Sequence, residues 1–600
     1  MSAARIDNDI SLTLPGLFRE RVKRNPDVVA YRQYEPAGKF WRDYTWQQTA
    51  DEIARWQYAL DQSNLKTGER VAIMLHNCRE WVIFEQAALG LGLVVVPLFH
   101  HDSAENAAYI LNHANVRVLL IKGNETWTEL VTEASQLSQI LTIISLDPVS
   151  AMNDSRLVCL ADWLPEGKHE LQHIDGHPEG LATIVYTSGT TGKPKGVMLS
   201  HQNILFDVEA GLNAVEIRSD DLFLSFLPLS HMFERAVGYY LPMMAGACVA
   251  YSRGIKHLSD DLKILQPSLF ASVPRIFERI YQQLQEQLSQ KPGIVQWLFQ
   301  QTVETGWYRF QYQQHQVGWH PKLLVWPLYE RLVAKPFRQQ LGGNIRVSLS
   351  GGAALACPIS KVFLSLGVAV IQGYGLTETS PLVSVNRLDN NDPASVGTAL
   401  PGIEVLQSEH NELLVRGPNI MLGYWNNRKA TSEIIDSEGW LHTGDIVEIR
   451  EQRLYITGRI KEIIVLSTGE KLSPSDMEAA AMLDPCFNQV MIYGEAKPYP
   501  VALIVLNRKH WQLAAKQHGL DQTSWNNKML QDPAVEKVLL EILSHKLDRF
   551  PGYARIKRVS ATFSQWTVEN AMLTPTLKIR RSKIEQSMQE QLTRLYQGHE

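Results

Sequence analysis

Tyr186-Thr187-Ser188-Gly189-Thr190-Thr191-Gly192-Lys193-Pro194-Lys195-Gly196 is the stretch that decides how the rest of this sequence is interpreted. Apolar runs at 181–185 and 197–199 flank it, which predicts a strand, a polar loop and another strand. The glycines allow positive φ angles, so successive N–H groups can face one hollow, and the lysines add positive charge. Such a loop suits a polyphosphate, although the same residue types also form ordinary flexible loops.

The stretch differs from a Walker A loop, because Pro194 follows Lys193 where that motif has Ser or Thr entering a helix. It instead resembles the signature of the adenylate-forming (AMP-binding) superfamily of acyl-CoA synthetases, luciferases and adenylation domains. Further motifs of that superfamily follow in order, so the resemblance covers about residues 15–585.

Composition and charge describe a globular protein with several domains. The chain has 600 residues, of which 45% are hydrophobic and 20% charged, and its net charge of −5 gives no basic field for nucleic acid. Its five cysteines are scattered without a CxxC pair, which is typical of free thiols in a reducing compartment. The N-terminus lacks a signal-peptide core, and the longest uncharged apolar run, 87–99, is shorter than the ~20 residues needed to span a bilayer. We therefore predict a cytoplasmic protein, with peripheral association at the inner face of the membrane left open.

Helical and extended signals alternate before and after the loop. This alternation predicts a doubly wound α/β layer with a largely parallel sheet. The predicted helices include 46–62, 80–91, 105–113 and 203–214, and the predicted strands include 70–75, 94–99, 116–121, 140–146, 345–349 and 368–371. A strand-rich section from 396 to 456 and a compact α+β module after it complete the pattern. We predict an N-terminal domain over 1–458, with a β-rich subdomain, and a C-terminal domain over 459–600.

Residues 284–340 differ in composition from the sheet-forming segments. They are rich in glutamine and aromatic residues, which predicts an inserted helical hairpin. The aromatic residues form either the core of that hairpin or an amphipathic patch that touches membrane or acyl chains. The sequence leaves both interpretations open.

Within the superfamily, the chain is most similar to long-chain fatty acid–CoA ligases. The similarity rests on 226–235, 272–279, the aromatic insert, 439–445 and 569–578. It implies ATP, Mg²⁺ and coenzyme A as cofactor and cosubstrates and a fatty acid as substrate. In this family a carboxylate attacks the α-phosphorus of ATP, pyrophosphate leaves, and the CoA thiol then displaces AMP from the acyl-adenylate.

The resemblance assigns phosphate and metal contacts to two motifs. Residues Thr187 to Lys195 would hold the β- and γ-phosphates, and Thr377 would contact the α-phosphate. Glu378 would bind Mg²⁺, which prefers a carboxylate together with phosphates and water. The implied catalytic residues are Thr190, Lys195, Glu378 and Lys578, and the loop positions implied in nucleotide binding are Thr187, Ser188, Gly189, Thr190, Thr191, Gly192, Lys193 and Lys195.

The remaining nucleotide contacts come from three other motifs. Tyr374, next to Gly375, would lie against the adenine. Asp445 would accept both ribose hydroxyls, a task that suits the two oxygens of a carboxylate. Arg459 would bind ribose or phosphate. Close approach of the nucleotide or acyl group would occur at Gly351, Gly352 and Ala353.

The C-terminal residues are those that a mobile domain would bring to each half-reaction. Lys578 would bridge the carboxylate and the α-phosphate, a task that suits a compact ammonium, although it also lies in a basic stretch. Lys461 matches the family's hinge position, about which the small domain is expected to rotate. Gly469 would line the pantetheine tunnel, and Lys471 lies in the same cofactor-binding stretch. His231 would shape the acyl pocket beside Gly351, and general-base catalysis by it is not required.

Four other functions share parts of this pattern. An amino-acid adenylation module would place a carboxylate near 226–231, where there is none. A fatty acyl-AMP ligase that loads a carrier protein stays an alternative, as does a synthetase for another carboxylate, and a luciferase-type oxygenase shares the scaffold. A non-catalytic homologue is disfavoured because Lys195, Glu378, Asp445, Arg459 and Lys578 are all present. Chain-length preference and oligomeric state, including a homodimer, are left open.

Overall fold

The chain forms two compact units in a computed structural model. The model describes residues 5–150, 154–174, 176–187, 193–520, 524–568, 570–574 and 578–597. The large unit comprises 1–406, 414–443 and 450–454, and the small unit comprises 407–413, 444–449 and 455–600. The chain thus passes between them more than once before residue 455, and a single domain boundary at 458 stays a prediction.

One sheet of the large unit is doubly wound, as predicted. Its parallel strands lie in the hydrogen-bonded order Val94–Pro97, Arg70–Met74, Val116–Ile121, Thr142–Ser145, Leu157–Cys159. The strand next to Val94–Pro97 is Leu181–Thr187, which pairs antiparallel with Lys195–Ser200. The switch in strand order arises because helices Arg79–Gly90 and Ala104–His113 connect the first three strands in opposite directions.

The second sheet of the large unit carries the motifs that follow the phosphate loop. Its parallel strands are Val370–Gly375, Val347–Ser350, Leu269–Ser272, Leu222–Ser225, Cys248–Tyr251 and Val29–Glu35, in that order. Phe40–Thr45 and Leu382–Val385 flank them as antiparallel strands. Apolar residues dominate the central strands, as expected for a sheet covered on both faces. The helices that accompany these sheets are Leu14–Arg24, Trp46–Asp61, His201–Ala214, Leu258–Leu265, Cys357–Ser365 and Arg428–Ile434, with shorter ones at Asn8–Ser11, Asn124–Leu130, Leu160–Trp163, Met232–Arg235 and Leu241–Ala245.

The aromatic insert is helical, as the sequence indicates. Its elements are Pro274–Ser289, Gly293–Gln313, Pro321–Val325, Trp326–Tyr329, Glu330–Ala334 and Lys335–Gln340. Phe310 and Trp326 are buried, whereas Trp297 and Trp319 are more than half exposed. The aromatic residues are therefore divided between a core and a surface. Among the helices of the described residues, none combines the length and the apolar character that a bilayer-crossing segment needs.

The small unit is an α+β module, as predicted. Strands Phe487–Tyr493, Val501–Leu506 and Arg558–Thr562 form one sheet, and Ile464–Val465 pairs with Lys471–Leu472 in a hairpin. Val501–Leu506 is buried on both faces, because alternate residues enter two different apolar clusters. The helices of the small unit are Pro474–Ala481, Arg508–Gln517, Pro533–Lys546, Arg581–Ser587 and Gln589–Tyr596.

The strand-rich section predicted over 396–456 is confirmed. Its strands are Thr398–Ala399, Glu404–Gln407, Glu412–Arg416, Gly423–Tyr424, Leu441–Arg450 and Arg453–Arg459.

Candidate active site

The strands on either side of the glycine loop pair antiparallel in the large unit. Thr187 and Lys195 are directly opposite each other in that pairing. At Gly196 an added Cβ would lie 2.7 Å from Cγ2 of Ile184, which explains a glycine where the second strand starts. The strand–loop–strand prediction is confirmed at both flanks. Five of the proposed phosphate contacts lie outside the described residues: Ser188, Gly189, Thr190, Thr191 and Gly192.

Each lysine of the loop lies over an aromatic ring. Nζ of Lys193 is 5.0 Å from the ring centroid of Tyr109, and Nζ of Lys195 is 4.8 Å from that of Tyr424. Such contacts hold an ammonium in place without neutralising its charge. Both lysines therefore keep a positive charge that a phosphate could use.

Thr377 and Glu378 lie in a short 3-10 turn, Thr377–Thr379, at the end of strand Val370–Gly375. The turn is anchored from inside, because the Thr379 hydroxyl donates to the carbonyl of Pro381 and the amide of Asn419 donates to the carbonyls of Thr379 and Leu382. Asn419 is fully buried. These bonds fix the backbone that follows Glu378.

A buried carboxyl group anchors the same segment from a helix. Both side-chain oxygens of Asp207, in helix His201–Ala214, accept from the backbone N–H of Leu382 at 3.2 and 3.1 Å. Burial raises the pKa of Asp207 well above its ordinary value, and the N–H of Leu382 opposes that shift. Asp207 and Asn419 are positioning residues that the sequence analysis missed.

The Tyr374–Gly375 motif is confined by the next strand. At Gly375 an added Cβ would lie 1.6 Å from the carbonyl oxygen of Pro381, so no larger residue fits without movement of the backbone. Tyr374 pairs with Ser384 across the antiparallel strands and is half-buried. The geometry explains why a glycine follows the tyrosine, and the adenine contact of Tyr374 stays a prediction.

Gly351 and His231 both contact Phe233, Gly351 at its ring and His231 at its backbone. A Cβ added at Gly351 would lie 2.9 Å from the Phe233 ring, and Nδ1 of His231 accepts from the backbone N–H of Phe233 at 3.3 Å. His231 therefore caps the short helix Met232–Arg235, which is a structural role. Gly352 has a φ of +81° and Ala353 is exposed. The structure thus places the Phe233 ring against Gly351.

In the small unit, Asp445 and Arg459 form an ion pair. Nε of Arg459 is 2.6 Å from Oδ1 of Asp445, whose side chain is only 2% exposed while that of Arg459 is 40% exposed. Strands Leu441–Arg450 and Arg453–Arg459 carry the two residues. A ribose that binds Asp445 would therefore share the carboxylate with Arg459.

Lys578 belongs to the electrostatic surroundings of this pair. Its pKa is lowered to about 8, because its ammonium is desolvated and Arg459 repels it, and Asp445 partly offsets this shift. The ammonium group is thus shielded from water, although the residue as a whole is exposed. The neighbouring Arg581 has a different role, since it forms an ion pair of 2.7 Å with the buried Glu478. The basic residues near the C-terminus therefore differ in role, because Arg581 is paired with a buried carboxylate and Lys578 lies near Asp445 and Arg459.

The proposed hinge and pantetheine residues are all exposed. Lys461 lies in the 3-10 turn Ile460–Glu462, and Lys471 begins a strand of the small hairpin. Gly469, in the turn of that hairpin, has a φ of +92° and no atom within 4 Å of an added Cβ. The turn itself requires a glycine there, and the tunnel role stays a prediction.

Two groups of proposed site residues are thus assembled within single units. Lys195 and Glu378 both reach Tyr424 in the large unit, where the Tyr424 hydroxyl donates to Oε1 of Glu378 at 2.8 Å. Asp445, Arg459 and Lys578 interact in the small unit. Tyr424 was missed because an aromatic residue after Gly423 is also typical of ordinary strand packing.

Comparison with known proteins identifies the family of this chain. Residues 18–425 match the family model described as AMP-binding enzyme, and residues 461–600 match the AMP-binding enzyme C-terminal domain. The chain belongs to the AMP-binding enzyme family. Family membership confirms the resemblance drawn from the glycine loop and implies binding of an adenine nucleotide.

Individual relatives and a solved structure cover nearly the whole chain. The long-chain-fatty-acid–CoA ligase FadD15 of Mycobacterium bovis is 28% identical over 96% of this chain and 96% of its own length. A chloroplastic long-chain-fatty-acid–[acyl-carrier-protein] ligase of Arabidopsis thaliana is 28% identical over 97% of this chain and 86% of its own. The adenylation domain of a carboxylate reductase from Mycobacterium chelonae has a TM-score of 0.78 and 19% identity, with 99% and 94% coverage, and it confirms the fold.

Proposed function

We propose that this member of the family is an ATP-dependent long-chain fatty acid–CoA ligase. In the first half-reaction a fatty carboxylate oxygen attacks the α-phosphorus of ATP, and diphosphate leaves. In the second the CoA sulfur attacks the acyl carbonyl of the adenylate, AMP leaves, and the thiol proton passes to solvent. The observation that carries the proposal is the Lys195–Tyr424–Glu378 cluster beside the glycine loop, in a chain similar over nearly its full length to a long-chain ligase.

The residues of the large unit suit the charge that ATP brings. An anionic nucleophile attacks an anionic phosphate, so the site must first neutralise charge. Lys193 and Lys195 would do so at the β- and γ-phosphates, with Thr377 at the α-phosphate. His231 and Gly351 would border the acyl group through Phe233.

Glu378 fits the proposed Mg²⁺. Mg²⁺ usually takes one or two carboxylates together with phosphates and water. Within the described ranges, no group of three or more His, Cys, Asp or Glu side chains could hold a metal on its own, and Oε1 of Glu378 is already oriented by Tyr424. When bound, the ion would neutralise phosphate charge.

The small unit would supply the remaining contacts. Asp445 would take the ribose, Arg459 the ribose or a phosphate, and Lys578 the α-phosphate and carboxylate. Rotation about Lys461 would then bring Gly469 and Lys471 to the pantetheine of CoA. We also propose a reducing, cytoplasmic location, in keeping with five free thiols.

The experiment is AMP and acyl-CoA formation from ATP and Mg²⁺ with short, medium and long fatty acids, with and without CoA. CoA-dependent thioester that peaks with long acids is the expected result. Acyl-AMP that accumulates with CoA, but is consumed by an acyl carrier protein, would instead support the carrier-protein ligase, which the chloroplastic relative favours as the second candidate. Absence of AMP with every fatty acid would contradict both.

We further propose that the insert binds an anionic bilayer, from which a long fatty acid could be taken. Leu324, Leu328 and Leu332 follow each other at four-residue intervals through consecutive helical segments and are 70%, 56% and 51% exposed. Arg331 and Lys335, also exposed, lie beside them. Exposed leucines flanked by basic residues are typical of surfaces that enter the headgroup region of anionic lipids.

Cosedimentation with vesicles of phosphatidylcholine and phosphatidylglycerol tests this surface. The triple variant Leu324→Ser/Leu328→Ser/Leu332→Ser should bind at least about tenfold more weakly, given the apolar area lost. Leu513→Ser, at a 62% exposed leucine of the small unit, is the control and should bind like the wild type. Unchanged vesicle binding of the triple variant would contradict the proposal. If that variant also loses self-association, the leucines would instead belong to a homodimer interface.

A further inference from the structure

Tyr424 is held rigidly beside strand Lys195–Ser200, which follows the glycine loop. It lies in the short strand Gly423–Tyr424, which pairs antiparallel with Lys195–Ser200, with Tyr424 opposite Val197. Its backbone N–H donates to Oγ1 of Thr431 at 2.9 Å, and a Cβ at Gly423 would lie 2.9 Å from Cγ2 of Thr431. The residue is only 7% exposed. The ring therefore has little freedom to move.

The side chain of Tyr424 contacts two groups of opposite charge. Its hydroxyl donates to Oε1 of Glu378 at 2.8 Å, and its ring centroid lies 4.8 Å from Nζ of Lys195. Lys195 and Glu378 are distant in sequence, and in the described part of the chain they form no ion pair with each other. A neutral aromatic side chain thus links the two groups that the proposed function assigns to the phosphates and to the metal.

This link keeps both charges available to a ligand. A direct Lys–Glu ion pair would satisfy each group with the other, and a ligand would have to break it. The Tyr424 hydroxyl occupies only one hydrogen-bond acceptor position of the Glu378 carboxylate. Oε2 and the remaining lone pairs of Oε1 can therefore accept from or bind another partner. The ring face holds the ammonium by its quadrupole without neutralising it.

We propose that Tyr424 is a positioning residue that separates Lys195 from Glu378 and aims both at a metal–triphosphate complex. The inference rests on the proposed function for the roles of Lys195 and Glu378. It adds that the two roles are coupled through one side chain, with the hydroxyl serving the metal side and the ring serving the phosphate side.

Two variants of the full chain separate these contributions. Tyr424→Phe keeps the ring over Lys195 and removes the bond to Glu378, whereas Tyr424→Leu removes both. Calorimetry would measure the Kd of ATP in EDTA and in Mg²⁺, and the ratio of the two values reports how much the metal strengthens binding. Pyrophosphate exchange across a Mg²⁺ titration would give the metal requirement of the reaction.

In Tyr424→Phe we expect the Kd ratio to fall roughly threefold to tenfold, as for the net contribution of one ordinary hydrogen bond, with the Kd in EDTA unchanged. Tyr424→Leu should show the same fall and, in addition, a several-fold weaker Kd in EDTA. The control is Tyr308→Phe, which removes a hydroxyl that donates to the carbonyl of Gly318 in the aromatic insert and contacts neither Lys195 nor Glu378. Its Kd ratio should equal that of the wild type.

The outcomes distinguish the inference from the proposed function. A wild type that binds no ATP and makes no AMP would overturn the proposed function. An active wild type with the same Kd ratio in Tyr424→Phe would overturn the inference alone. Equal weakening of every measurement in both Tyr424 variants, with a lowered melting temperature, would show that Tyr424 is only a packing residue and would also overturn it.

Discussion

The turn that carries Glu378 and the loop that carries Lys578 are held in opposite ways. Glu378 is fixed by distant parts of its unit, through Asn419, Asp207 and Tyr424. Lys578 is held by its own loop, where its N–H donates to Oγ1 of Thr574 and its carbonyl accepts from the N–H of Thr574. The proposed metal ligand is thus preorganised by tertiary contacts, whereas the backbone of the proposed transition-state lysine is held by a residue only four positions earlier in the chain. That contrast is what an enzyme needs if only the lysine must leave the site between half-reactions.

The largest expected effect comes from Lys578→Ala. Adenylation should fall by about 10²-fold or more, the scale for loss of one transition-state charge contact. Thioester formation from supplied acyl-AMP should be largely retained, because the lysine would not serve the second step. Both half-reactions would be measured separately by single-turnover assays. Lys583→Ala, an exposed lysine of the same basic stretch, is the control. An equal loss there would mean that only the general positive charge matters.

Gly469→Leu should show the reverse pattern. A bulky side chain in the path of the pantetheine should slow thioester formation on the order of tenfold, with adenylation retained. Because φ is +92° at this position, part of any loss comes from backbone strain. Gly469→Ala carries the same strain without the bulk, so thioester rates of the two variants should differ. If Lys578→Ala and Gly469→Leu lose both half-reactions equally, the rotation about Lys461 is wrong.

The pH dependence of adenylation should show the titration of Lys578. Its pKa is lowered to about 8, so the charged ammonium is present below that pH and is lost as the pH rises through it. The value of kcat/KM for ATP reports groups of the free enzyme, and we expect it to fall up to about tenfold per pH unit above 8. In Lys578→Arg, whose guanidinium stays charged, this decline should vanish from the range. A decline that persists unchanged in Lys578→Arg would assign it to another group.

The smallest expected effect concerns stability at two glycines. Gly375→Ala should lower the free energy of unfolding by about 2 kcal/mol, because the new Cβ would overlap the carbonyl oxygen of Pro381. Gly469→Ala should cost only about 1 kcal/mol, since φ is unfavourable there and the space is open. Urea unfolding followed by circular dichroism compares them. The opposite ranking would contradict the contrast between a turn fixed by its surroundings and one fixed by itself.

Local sequence patterns were sufficient to predict most of the fold. The periodicity at 46–62 and 105–113 and the apolar run at 116–121 correspond to elements with nearly the same ends, because helices and strands depend on neighbours along the chain. The glycine loop placed the chain in its family for the same reason, since one continuous stretch carries the family's signature. The hairpin Ile464–Leu472, with Gly469 at a positive φ, was not among the predicted elements, although neighbours along the chain form it too.

Only the tertiary structure decided which side chains meet. Tyr424 lies 46 residues from Glu378, and Asp207 lies 175 residues from Leu382, so no local pattern could pair them. Gly375 is recognisable as part of a motif, but its reason for being glycine is the carbonyl of Pro381, which lies just before the adjacent strand. The sequence by itself determined the elements, the family and the candidate residues. The tertiary structure decided which residues surround each candidate, because packing brings together segments that are far apart in the sequence.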